Sequence, residues 1–76
     1  MNKVRRMAIS EISDKVEELK SDLESLMDEE QEYYDNMPES FQRGEKGDKA
    51  QEAIDNLQAA IDSFEEVIDS LTEAQN

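Results

Sequence analysis

From Ala53 to Glu73 the chain repeats one seven-residue phrase three times: AIDNLQA, AIDSFEE, VIDSLTE. Ile54, Ile61 and Ile68 recur at heptad position a, and Leu57, Phe64 and Leu71 follow three residues later at d. Alternating steps of three and four put these side chains on one side of an α-helix. β-branched residues at a with mostly leucine at d are the choice of two-stranded coiled coils. Ala53, Ala60 and Val67 widen the stripe to position g, which suits a bundle better than a single seam.

The first half carries the same rhythm. Ile9, Val16 and Leu23 hold position a, while Ile12, Leu19, Leu26 and Tyr33 hold d. This predicts a first helix over about 3–35, with Glu30 falling at the next a position, where either the seam opens toward water or a buried carboxylate sets the register. Between Asn36 and Gly47 the pattern breaks. Pro38 biases Met37 away from helical backbone, and Asn36 with Glu39 reads as a capping box for a short turn over Met37–Phe41. Gly44 and Gly47, the only glycines, are expected to loosen the second half of this connection. Asp48 with Gln51 then reads as the cap of a second helix over about 48–72. The fold class predicted is all-α: one domain over 1–76, an antiparallel helical hairpin with a loop at 36–47.

Low hydropathy and a net charge of −13 are features of disordered chains, but the regular apolar spacing argues for helix. The charge is unevenly spread. Residues 1–6 carry +3, residues 7–42 carry −10, residues 43–49 carry +1, and the chain from Ala50 onward carries −7. Folding back would bring Lys3, Arg5 and Arg6 toward Asp69 and Glu73. A surface this acidic repels nucleic acid and anionic lipid and favours basic partners.

Several chemistries lack their residues. With no cysteine and no histidine, disulfides, thiol nucleophiles, histidine acid–base catalysis and Cys/His zinc sites are excluded. Bridged di-metal bundles need Glu-x-x-His pairs, and no calcium-loop pattern is present. The serines have no base to activate them. No enzyme, cofactor or metal is therefore expected. No apolar run approaches the roughly 20 residues that span a bilayer, and the basic start MNKVRRMAIS is not followed by an apolar secretion core, so a cytoplasmic location is expected.

Two surfaces remain as candidates. Asp55, Asp62 and Asp69 form a row at heptad spacing, and Glu11, Glu18 and Asp28 belong to similar rows on the first helix. Such rows keep a helical protein soluble, and they can also offer carboxylates to a basic groove in place of phosphates. The YYDNMPESF segment gathers Tyr33, Tyr34, Met37 and Phe41, either as a small core that fixes the turn or as a contact patch at the tip.

The runs EEQEYYDNMPESFQ, GEK and EAIDNLQAAIDSFEEVIDSL resemble a group of small acidic helical-hairpin proteins of phages and prophages in Gram-positive bacteria. The resemblance covers Glu29 to Leu71, with the YxDNxPE turn as its specific part, and it implies a mobile-element setting. Two functions are weighed on these grounds. One is a non-enzymatic accessory protein that binds and inhibits a host protein, such as a nucleic-acid-handling or defence factor, through an acidic, phosphate-mimicking face. The other is a structural module whose role is coiled-coil oligomerisation. A lone hairpin leaves its a, d and g stripe partly wet. A homodimer forming a four-helix bundle is therefore expected, its core built from Ile12, Val16, Leu19, Leu23 and Leu26 with Ile54, Leu57, Ile61, Phe64, Ile68 and Leu71.

Overall fold

A computed structural model describes residues 1–76 as three helices: α1 (Lys3–Asp35), α2 (Glu39–Gln42) and α3 (Glu45–Ala74). No strand is present. The two long helices fold back on one another in a rod whose Cα atoms span 58 × 14 × 12 Å. Asn2 starts α1 from an extended backbone, and its side-chain oxygen accepts a hydrogen bond from the Arg5 amide at 2.8 Å. That bond satisfies one of the amides a helix leaves open at its first turn.

The tip differs from its expected form. Asn36 does not cap the short helix. It is the C-cap of α1, its amide donating back to the Glu32 carbonyl, and Pro38 occupies the N-cap of α2 without a side-chain bond. α3 begins at Glu45 with Gly44 as N-cap, three residues ahead of Asp48, so the Asp48–Gln51 box is not used. Gly47 lies inside α3 and is buried. A Cβ there would sit 2.0 Å from the Gln42 carbonyl oxygen and 2.5 Å from its carbon. Gly47 therefore does not loosen the loop. It lets the α2 backbone close directly onto α3, a contact that a side chain would block. The Gln42 side-chain amide completes the clasp by donating to the Tyr34 carbonyl at 2.9 Å.

On α3 the packed side is the expected one. Gly47, Ala50, Ile54, Leu57, Ile61, Phe64, Ile68 and Leu71 alternate a and d, and Ile61 is 3% exposed. On α1 the seam has turned. The partly buried residues are Ile9, Ser13, Val16, Lys20, Leu23, Met27, Glu30 and Tyr34, which alternate a with e rather than a with d. Val16 and Leu23 remain in the hairpin core, whereas the d row of Ile12, Leu19, Leu26 and Tyr33 is half exposed, from 50% to 53%. Glu30 stays on the seam, half-buried, instead of leaving it.

Lys20 accounts for part of this rotation. Its ammonium reaches the Glu65 carboxylate at 3.2 Å, and that carboxylate, the nearest charge, raises the lysine above its ordinary pKa. A long aliphatic stem laid along the seam with its charged head paired covers apolar surface as a leucine would. The basic residues at the open end behave differently. Arg6 donates to the Met1 carbonyl, and none of Lys3, Arg5 and Arg6 joins an ion pair, so the expected contacts with Asp69 and Glu73 are absent.

Candidate functional site

Position around the helix decides what the hairpin shows to its surroundings. Around an α-helix the heptad positions follow one another as g, d, a, e and b. When two helices pack antiparallel, e flanks e on one side of the seam and g flanks g on the other. Lys20 and Glu65 both occupy e, which fixes one flank. The d and g rows of α1 and the g row of α3 therefore share the opposite flank. The tip agrees, since Tyr33 (d) and Asn36 (g) of α1 line one cleft with Lys46 (g) of α3.

This flank is apolar and nearly free of charge. α1 contributes Ile12, Leu19, Leu26 and Tyr33, all half exposed. α3 contributes Ala53, Ala60, Val67 and Ala74 at g, bordered at c by Asn56, Ser63 and Ser70, with no acid among the seven. On a chain of net charge −13, such a strip stands apart from the rest of the surface. Its charges are Lys15, Asp22 and Glu29 in the g row of α1, with Arg5 at one end of the d row and Lys46 at the tip. Contiguous exposed apolar faces on small domains are often interaction surfaces.

At one end of the flank lies an open cleft of about 340 Å³, lined by Tyr33, Asn36, Met37, Pro38, Phe41 and Lys46. Lys46 stands over the Phe41 ring, 5.1 Å from its centroid, and joins no ion pair. Of the four tip residues singled out in the sequence, Tyr33, Met37 and Phe41 line this cleft, while Tyr34 turns into the seam.

The acidic rows are not gathered on one face. Asp55, Asp62 and Asp69 lie at b on α3, beside the e flank. Glu11 and Glu18 lie at c on α1, beside the opposite g flank, and Asp28 lies at f on the outer side. All six are exposed, and none takes part in an ion pair. No group of three or more acidic side chains converges where a metal ion could be held. No helix is long and apolar enough to cross a membrane.

The exposed d row was the feature least visible in the sequence, where a/d and a/e seams cannot be told apart while both a and d are apolar. One signal was present: Met27 and Tyr34 stand at e beside Lys20, a row with enough apolar stem to compete for the seam. No family model, no curated protein and no solved structure matches this chain.

Proposed function

We propose that this protein is a non-enzymatic interaction module that works by self-association, its working surface being the flank formed by the d row of α1 and the g row of α3. The observation that carries this reading is the half-exposure of Ile12, Leu19, Leu26 and Tyr33 at regular seven-residue spacing. Completing the burial of each would contribute roughly 1 kcal/mol, about half the value of a fully buried large apolar side chain. Two hairpins joined on this flank make a four-helix bundle. The test is sedimentation of the full chain from about 1 to 500 μM. A dimer forming in the micromolar range is expected, with Leu19→Lys shifting the mass to that of one chain while helicity is retained. A wild type that stays monomeric to the highest concentration overturns the reading.

A second reading concerns what such a dimer carries outward. Asp55, Asp62 and Asp69 are exposed, unpaired and placed away from the self-associating flank, and a dimer doubles the row. Together with the phage-type resemblance, this supports a role in which the bundle binds and inhibits a basic host protein by standing in for phosphates. Steering by the summed charge would make that binding weaken steeply with salt. Replacing all three aspartates with asparagine should then lower affinity for a basic partner several-fold and leave dimerisation intact.

A further inference from the structure

α1 carries charge of the unfavourable sign at both ends. Lys3, Arg5 and Arg6 sit at the positive end of its dipole, and Glu32 and Asp35 sit at the negative end with no base in the last turn. The hairpin relieves neither end, because none of these five residues is ion-paired. Between the two ends runs the exposed d row. A second α1 laid on that row in the reverse direction would set each basic end against an acidic one.

We propose that the occupant of this flank is a second copy of the chain, running antiparallel and related by a two-fold axis that crosses α1 at Leu19. This rests on the self-association reading above and adds its direction and register. The d positions of α1 are Arg5, Ile12, Leu19, Leu26 and Tyr33, and Leu19 is their midpoint. With the axis there, Leu19 meets its own copy, Ile12 meets the partner's Leu26, and Arg5 lies over the partner's Tyr33 ring as a cation–π pair. In the bordering g row, Lys15 comes opposite the partner's Asp22, and the pair is made twice.

Slipping by one heptad is disfavoured in either direction. Either slip leaves a d level uncovered; one sets Lys15 against the partner's Lys15, and the other sets Asp22 against the partner's Asp22 while bringing Lys15 opposite the partner's Glu29. Like charges placed directly opposite are destabilising, so the g row opposes the lysine slip, and the loss of a covered d level opposes both. α3 fits the same axis. The Lys20–Glu65 bridge sets Leu19 level with Glu66 in the antiparallel hairpin, about one 1.5 Å residue step from Val67 in the g row. Val67 then meets its own copy beside the axis, and Ala60 comes opposite the partner's Ala74, a small pair that lets the two α3 backbones approach closely.

The absence of native cysteine makes the arrangement directly testable in the full chain. Leu19→Cys should cross-link to its own copy on mild oxidation. Ile12→Cys should not cross-link alone, but should do so when mixed with Leu26→Cys. In a separate variant, spin labels at Ser40→Cys, an exposed tip position, should lie more than about 50 Å apart, twice the axial distance from Leu19 to the tip. A dimeric mass with tip labels within about 20 Å, the spacing of helices side by side, overturns the antiparallel arrangement and spares self-association. A dimer with distant labels in which Ile12→Cys cross-links to itself overturns the register alone. A monomeric mass throughout removes both.

Discussion

Lys20 of α1 and Glu65 of α3 meet at 3.2 Å, the one ion pair that joins the two long helices. Because the neighbouring carboxylate raises the lysine, the charged form is favoured in the folded state. Its contribution is therefore fully present below the ordinary lysine pKa and is lost as pH climbs through the raised one. Wild type and Lys20→Met should keep a constant difference in thermal midpoint from pH 6 to 9. Above about pH 10.5 that difference should shrink, followed by circular dichroism. A gap that widens in alkali would contradict the pairing.

Gly47→Ala offers a test of the tip in which two effects have opposite sign. Alanine in a helix interior is favoured over glycine by about 1 kcal/mol. Here the added carbon would strike the backbone of Gln42, which cannot rotate away as a side-chain end could. Overpacking of this kind costs typically about 1–3 kcal/mol. A lowered midpoint in chemical denaturation is expected, and a raised one would show that α2 does not close on α3.

Ile61 and Leu19 should respond differently to truncation. Ile61 is 3% exposed against the seam, so Ile61→Ala should cost about 2–5 kcal/mol and unfold much of the chain at any concentration. Leu19 is 52% exposed in the hairpin. Leu19→Ala should act chiefly on association, abolishing the rise of the wild-type thermal midpoint with protein concentration that linkage requires of a dimer. Thermal melts at 5 and 500 μM separate the two.

The net charge of −13 opposes compaction, so stability should increase with ionic strength over the range in which screening shortens to about 8 Å. Replacing Asp55, Asp62 and Asp69 together with asparagine should raise the midpoint at 10 mM salt and reduce its salt dependence. Equal salt slopes for variant and wild type would mean that this row contributes nothing to the repulsion.

Much of the fold is legible in the chain itself, and the reasons for the remainder are local. Three repeats of Ile-Asp, with leucine or phenylalanine three residues after each isoleucine, specify the packed side of α3, because the e row of Gln58, Glu65 and Thr72 is polar and the g row is mostly small alanine. α1 is ambiguous, since its a row is flanked by apolar d residues and by the long stems of Lys20, Met27 and Tyr34 at e. Pairing with Glu65 then tips the seam toward e, a contact between residues forty-five apart that no local spacing reveals. The tip is hidden from local spacing for a similar reason. Gly47 has the composition of a loop, but its lack of a side chain is used against Gln42, which is close only once the chain has turned. The charge-poor flank follows from the α1 rotation and becomes visible only with it.

Two of the three buried residues, Gly47 and Ala50, lie within the first two turns after the bend, and the remaining one, Ile61, sits midway along the rod. Beyond Ile61 nothing is sealed from water. Amide protons should therefore exchange on a gradient, slowest beside the clasp and fastest at the free ends of the arms. A molecule built this way opens from its loose end as a zip does, and whatever grips the far end closes it.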